Sequence, residues 1–147
     1  MATRIRQPKR LFTVEEANAA LSLVRAIALD MSELARELIE RRDRLELLTA
    51  GRGGKVKSDL YGQELLQIQE ELEKDTERLN EYGAELAELG VEPKNALEGL
   101  VDFPSMMDGR PIYLCWKLGE AEVMHWHEVE AGFAGRQSLS TASAHRE

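Results

Sequence analysis

Apolar residues recur at helical spacing through the first third of the chain, and this stripe constrains the fold more than any other feature. No proline or glycine interrupts residues 14–50. Steps of three and four residues place the apolar side chains on one side of a single long helix. Thr13 and Glu16 supply a capping box at its start, because each side chain can bond to the backbone N–H of the other residue. The stripe consists of Ala17, Leu21, Val24, Ala28, Met31, Ala35, Leu38 and Leu45.

A second stripe of the same spacing follows the glycine-rich segment Gly51–Gly54. It predicts a helix that begins near Ser58 or Asp59. Gly90 and Pro93 end this helix, because glycine favours the position after a helix and proline cannot continue one. Each helix spans about 45–55 Å at 1.5 Å per residue. Two such helices joined by a short turn form an antiparallel hairpin. The second stripe consists of Tyr61, Leu65, Ile68, Leu72, Asp75, Leu79, Tyr82, Leu86 and Leu89.

After Pro93 the apolar pattern changes to a period of two, as expected for β-strands. Residues 97–103, closed by Pro104, form the first candidate strand, and residues 111–118 and 122–129 form the next two. The whole pattern therefore predicts an α+β fold: a long antiparallel helical hairpin followed by a small three-stranded antiparallel β-meander.

We expect one domain, since the chain has 147 residues. The helical hairpin occupies residues 11–92. The β-meander and the Gly-Phe-Ala-Gly-Arg loop, packed on the hairpin, occupy residues 93–137. The basic tail of residues 1–10 and the tail of residues 138–147 are expected to be disordered.

The two helices are long for so small a domain, and the predicted meander is too short to cover both stripes. Pairing of two hairpins in a four-helix bundle would bury the remainder. We therefore expect a homodimer through the long helices. Arg42 and Asp75, the polar residues of the two stripes, are candidates for setting the register of that interface. In the alternative interpretation they lie at the edge of their stripes.

Charge and composition exclude several partners. The net charge is −8 at pH 7, and residues 58–90 contain ten acids and two bases. Nucleic acid is therefore not expected as a partner, because phosphate binding needs a basic surface. No apolar run is long enough to cross a membrane. The single cysteine excludes an intramolecular disulfide, and we expect a cytoplasmic protein.

One face of the predicted sheet carries side chains that can bind a metal ion. The side chains of the other face are assigned to the core against the helices. They are Ile112, Leu114, Trp116 and Leu118, with Met124 and Trp126 on the neighbouring strand. The opposite face would present candidate ligands for a transition metal such as zinc. In the competing interpretation both histidines bond to water or to carboxylates on a half-exposed face. The candidate ligands are His125, His127, Cys115 and Asp102.

The segment after the last predicted strand suggests a small-anion site. Gly132 and Gly135 allow tight turns that present Arg136, whose guanidinium can bind a carboxylate or phosphate with two hydrogen bonds. Glu128 and Tyr113 are candidates to complete this ligand site. In the competing interpretation, Arg136 pairs with Glu128 or Glu130, and Phe133 anchors the edge of the sheet.

Four segments of the chain resemble a known family: residues 11–24, 99–104 and 113–120, and the terminal motif Trp-His-Glu-Val-Glu-Ala-Gly-Phe-Ala-Gly-Arg-Gln of residues 126–137. Together they resemble a bacterial uncharacterised family, the domain of unknown function 2203, over about residues 11–139. The resemblance implies a small bacterial cytosolic protein with no assigned activity, so it carries no catalytic residue over to this chain.

Three functions remain open from the sequence. The leading expectation is a non-enzymatic structural or protein-interaction module that dimerises through its helices. The first alternative is a metal-binding protein or metal-dependent enzyme that uses the strand face with His125 and His127. The second is small-anion binding at Arg136. The sequence does not decide whether the chain is an enzyme.

Overall fold

Residues 10–50 and 60–139 are described by the structure, a computed structural model, and they form two helices followed by a five-stranded antiparallel sheet. Each strand pairs with the next one in sequence, in the order β1-β2-β3-β4-β5. The predicted tails and the turn between the helices lie largely outside the described residues. The elements are α1 (Val14–Ala50), α2 (Leu60–Glu88), β1 (Glu92–Asn95), β2 (Leu100–Met107), β3 (Arg110–Lys117), β4 (His125–Glu128), a 3-10 turn (Phe133–Gly135) and β5 (Gln137–Ser138).

Local hydrogen bonds define the helix ends that the sequence predicts. The backbone N–H of Thr13 donates to Oε1 of Glu16, and the N–H of Glu16 donates to Oγ1 of Thr13, both at 3.0 Å. After α2, Gly90 has a φ of 89° and Val91 donates to the carbonyl of Leu86 at 2.9 Å. This is a Schellman motif, which needs the left-handed backbone that glycine adopts without strain.

The core lies between the helices and one face of the sheet, which we call the inner face. Ile112, Leu114 and Trp116 lie on it, as predicted. Met124 does not, because residues 118–124 form a loop in which the strand alternation is lost; Val123 enters the core instead. The inner face packs against helix residues Ala17, Leu21, Val24, Ile27, Ala28, Met31 and Leu86.

The prediction of three strands is wrong, because the sheet has two more at its edges. β1 contains Pro93 and changes its register against β2 after that residue. Proline is tolerated there because one side of an edge strand needs no hydrogen-bond donor. β5 has only two residues, too few for any pattern to be visible.

The end predicted for β2 at Phe103 is also wrong, since the strand continues through Pro104 to Met107. β1 pairs with β2 only from Leu100 to Asp102, so Pro104 lies beyond the end of β1. Its missing N–H therefore costs no bond to β1. Its carbonyl accepts a hydrogen bond of 2.7 Å from the backbone N–H of Phe12, just before α1.

The buried positions of α1 end at Ala35, although the helix continues to Ala50. We call residues 36–50 of α1 and 60–78 of α2 the helical arm. Within it Leu65 is buried, and Arg41 forms an ion pair with Asp75 between the two helices. None of the described helices is both long and apolar enough to cross a membrane.

Gly99, in the turn between β1 and β2, allows a stability test with Gly109 as its match. Both have left-handed backbones, with φ of 64° and 81°, but a Cβ on Gly99 would lie 2.6 Å from Cβ of Leu118, whereas nothing lies within 4 Å of one on Gly109. Both glycine-to-alanine changes should lose roughly 1–2 kcal/mol to backbone strain. We expect Gly99→Ala to lose about 1–3 kcal/mol more, because Cβ of Leu118 is fixed to its backbone and one of the two chain segments must shift. Urea unfolding measures both, and equal losses would contradict this packing.

Candidate metal centre

The outer face of the sheet, away from the helices, carries a row of polar side chains across neighbouring strands. Asp102 of β2 lies opposite Cys115 of β3, and Cys115 lies opposite His125 of β4. Tyr113 lies opposite His127, two residues further along these strands. Because side chains alternate along a strand, all five project from the same face. The sheet therefore brings together residues that are far apart in sequence.

Asp102, Cys115 and His127 form a buried group on this face. One ligand atom from each lies within 4.8 Å of the other two. The exposed fractions of the three residues are 3%, 0% and 2%. β2, β3 and β4 each contribute one member. We call these residues the Asp-Cys-His group.

The hydrogen bonds of His127 fix the state of its ring. Nδ1 lies 2.7 Å from the carbonyl oxygen of Glu128, and Nε2 lies 3.0 Å from Oδ2 of Asp102. A carbonyl can only accept, so Nδ1 carries a hydrogen and donates it. Nε2 and the carboxylate then share one proton. Both ring nitrogens are thus held, and Nε2 points towards the group.

Burial makes the group electrostatically costly. Loss of water raises the pKa of Asp102, although the hydrogen bond from His127 opposes this change. Burial, together with the neighbouring Asp102 carboxylate, raises the pKa of the Cys115 thiol to about 12. No described residue donates a hydrogen bond to Oδ1 of Asp102, which is itself buried. A cation at this position would satisfy that oxygen and offset the cost of burying the charge.

The donor set fits a metal ion. Thiolate, imidazole and carboxylate are the ligands that zinc and related ions take in proteins. A metal-binding histidine generally donates its second N–H to a carbonyl or carboxylate, as His127 does to Glu128. The Asp-Cys-His group could therefore hold a metal ion. Three of the four predicted ligands are brought together here.

His125, the fourth predicted ligand, is not a member of the group. It projects from the same face as His127, but its Nδ1 lies 3.8 Å from Oε2 of Glu120, in the loop between β3 and β4. The side chain of His125 is 29% exposed. The His-x-His spacing predicts a shared face, but which histidine reaches Asp102 depends on the packing around each ring.

Arg136 lies beside the group, and a carboxylate of the protein occupies its guanidinium. Nη1 and Nη2 donate to Glu120 at 2.7 and 2.9 Å, and Nη2 also reaches the carbonyl of Cys115 at 3.4 Å. Glu120 further accepts from the backbone N–H of Lys117 at 3.0 Å. The interpretation that Arg136 pairs with Glu128 or Glu130 is therefore wrong; the sequence did not indicate Glu120 for this role, although the loop motif Lys-Leu-Gly-Glu places its carboxylate near the end of β3. An anion at Arg136 would have to displace Glu120.

The other two residues of the predicted anion site lie elsewhere. Glu128 alternates with His127 on β4, so it projects towards the inner side, where it bonds to Arg110 at 2.6 Å. The hydroxyl of Tyr113 donates to Oε2 of Glu92 at 3.0 Å. Phe133 is 39% exposed and lies 4.7 Å from the Arg136 guanidinium, ring centroid to carbon. The structure does not bring Arg136, Glu128 and Tyr113 together.

The group is not arranged for nucleophilic catalysis. A catalytic cysteine needs a free base beside it and access to its substrate. Both nitrogens of His127 are engaged, and Cys115 has no exposed surface. Its raised pKa also leaves almost no thiolate at neutral pH. Metal binding therefore suits these residues better than acyl transfer.

The same burial predicts that Cys115 is unreactive in the native protein. The chain has one cysteine, so a thiol-specific disulfide reagent reports on it alone. We expect labelling to be at least roughly 100-fold slower in buffer than in 8 M urea, because only the exposed thiolate reacts. Ser22→Cys in a Cys115→Ala background is the control, since Ser22 is exposed on α1. Native labelling of Cys115 as fast as that of the control would contradict the burial.

The family of the chain follows from a comparison with known proteins. The family model described as "Uncharacterized conserved protein (DUF2203)" matches residues 10–139, which include both helices and the entire sheet. Searches of curated proteins and of solved structures found no match. The motifs that predict this family include Asp102, Cys115 and His127. Because the match extends over most of its length, the chain belongs to the DUF2203 family.

Proposed function

We propose that this protein binds a divalent transition metal ion, zinc in the first instance, through Asp102, Cys115 and His127. The observation that carries the proposal is the convergence of a thiol, an imidazole and a carboxyl group within 4.8 Å in a buried position. Atoms bonded to one ion at roughly 2.0–2.3 Å lie at most about 4.5 Å apart. Small side-chain movements are therefore enough to form a site. The thiol favours zinc over magnesium or calcium.

Charge supports a divalent ion. The thiolate and the carboxylate supply two negative charges that such an ion neutralises, and the neutral imidazole of His127 completes the set. The ion takes the place of the thiol proton and of the proton shared by His127 and Asp102. Glu128 keeps the ring oriented through its carbonyl.

The burial of all three ligands favours a structural ion over a catalytic one. Catalytic zinc keeps a position open to substrate, whereas structural zinc is enclosed by protein. Each ligand lies on a different one of three adjacent strands, so the ion would link β2, β3 and β4. Metal binding would therefore add directly to the free energy of unfolding.

Metal binding is tested with untagged protein freed of metal by a chelator. We expect stoichiometric zinc by titration calorimetry and a stabilisation of about 2.7 kcal/mol at a free zinc concentration of 100 Kd. Cys115→Ser and His127→Gln should lose both effects. His125→Gln is the matched control and should keep them, because His125 lies outside the group.

Circular dichroism of each variant confirms that it is folded before titration. Two results would contradict the proposal: wild-type protein that takes up no zinc, cobalt or nickel, or a loss in His125→Gln as large as that in His127→Gln.

The helical arm supports a second function, self-association. A groove of about 380 Å³ lies between α1, α2 and the turn after β1, where the sheet no longer covers the helices. Leu38 and Ile39 of α1 and Leu72 and Leu79 of α2 are only partly buried there, and Leu97 is exposed. Exposed apolar surfaces that are rimmed by polar residues are characteristic of sites for protein association, which supports this second proposal.

A second copy of the chain is the occupant that charge favours. Arg42 is the charged member of the groove lining. Residues 60–78 of α2 contain six acids and two bases, whereas residues 36–50 of α1 contain four of each. A two-fold pairing of two arms sets Arg42 of each copy against the acidic α2 of the other. Asp75 is already paired within the chain, with Arg41.

Sedimentation equilibrium tests the association. We expect a dimer for the wild type and a monomer for Ile39→Asp, because a buried unpaired carboxylate opposes association. Leu47→Asp is the control, since Leu47 is 79% exposed and lies on the far side of α1. It should remain a dimer. A wild-type monomer at millimolar concentration would exclude self-association without affecting the proposed metal site.

A further inference from the structure

A fourth side chain, the carboxylate of Glu92, continues the row that contains the Asp-Cys-His group. Glu92 of β1 lies opposite Asp102, which lies opposite Cys115. Side chains of residues that face each other in an antiparallel pair project to the same side, with Cβ atoms about 4.5–5.5 Å apart. The Cβ atom of Glu92 therefore lies beside that of Asp102, on the edge strand of the sheet, while its carboxyl group lies outside the set of ligand atoms that are within 4.8 Å of one another.

Glu92 connects this buried row to solvent. Its side chain is 29% exposed, compared with 4% for Asp102 and 2% for His127. Oε2 accepts the hydrogen bond from Tyr113, whose ring centroid lies 5.5 Å from that of His127. Glu92 thus binds the hydroxyl of the tyrosine whose ring packs against His127.

A positively charged side chain of the protein, Lys94, already lies beside Glu92. Nζ of Lys94 is 2.9 Å from Oε1 of Glu92 and 5.3 Å from the ring centroid of Tyr113. The ammonium group lies near enough to Asp102 to help stabilise its charged form. Glu92 and Asp102 together therefore attract positive charge to one place, and an exposed lysine supplies it in the absence of metal.

We propose that β1 is the entrance of the metal site, where Glu92 takes the ion from solvent and becomes its fourth ligand as Lys94 is displaced. This inference rests on the proposed function. The Asp-Cys-His group supplies three ligands, and an enclosed zinc site uses four. The edge position supports it, because β1 is four residues long and Pro93 cannot donate to the ladder, so few bonds resist movement of this strand.

The first test compares Glu92→Gln with Glu98→Gln. Glu98 is an exposed acid of the adjacent turn, so its variant has the same change in charge. We expect zinc affinity, measured by competition with a chromophoric chelator, to fall at least about 10–100-fold in Glu92→Gln, since that range is already reached when a metal ligand loses an outer hydrogen-bond partner. The Glu98→Gln affinity should stay within about twofold of wild type.

Lys94→Gln provides a second, independent measurement. Stopped-flow uptake should be faster than in the wild type, because no ammonium competes for Glu92, and the affinity should be unchanged or tighter. Lys74→Gln, on α2, is the control for the loss of one positive charge. The cobalt complex adds a spectroscopic measurement: the visible bands of four-coordinate cobalt should shift in Glu92→Gln as water replaces the carboxylate.

The outcomes separate this inference from the proposed function. If the wild type binds zinc but Glu92→Gln matches Glu98→Gln in affinity and cobalt spectrum, Glu92 is not a ligand and the three-residue site stands. If Lys94→Gln takes up zinc no faster than Lys74→Gln, metal does not enter past Lys94. If the wild type binds no metal, both proposals fail.

Discussion

The structure depends on the burial of β3 on both of its faces. Residues 112–116 are all buried. On the inner face, Ile112, Leu114 and Trp116 pack against the helices, which accounts for the main hydrophobic stabilisation. On the outer face, Tyr113 and Cys115 are likewise withdrawn from water. A strand in the middle of a five-stranded sheet thereby creates a polar layer that is buried at its centre and reaches solvent at its edge through Glu92.

Groups in such a layer must find partners within the protein, because an unpaired buried polar group is costly. Asp102 and His127 meet this need by sharing a proton, and Glu128 holds the other side of the ring through its carbonyl. Arg136 and Glu120 satisfy each other beside Cys115. Oδ1 of Asp102 still lacks a donor among the described residues. The proposed metal ion, with Glu92 as a further ligand, would satisfy this oxygen, since one ion can bind the oxygens of adjacent carboxylates and the sulfur of the thiol at once.

Local sequence patterns predict much of this fold but little of its polar layer. The spacing of apolar residues, the capping box and Gly90 depend only on neighbouring residues, and they predict both helices and the end of α2. Alternation predicts the two faces of β3. β1 and β5 depend on pairing with distant strands, so a proline-containing edge and a two-residue strand escape such patterns. For the same reason the sequence predicts the types of metal ligand but not the partner of Arg136 or the choice of His127 over His125.

The bond between Phe12 and Pro104 has a consequence for solubility. β2 is longer than β1, so the last residues of β2 would present an open edge to which a strand of another molecule could add. Pro104 has no N–H with which an added strand could pair, and its carbonyl already accepts a hydrogen bond from Phe12, in the segment before α1. The chain thus closes its own sheet with its first described residues. Removing them would take the Phe12 side chain out of the core and would also uncover the end of β2 as a template for aggregation.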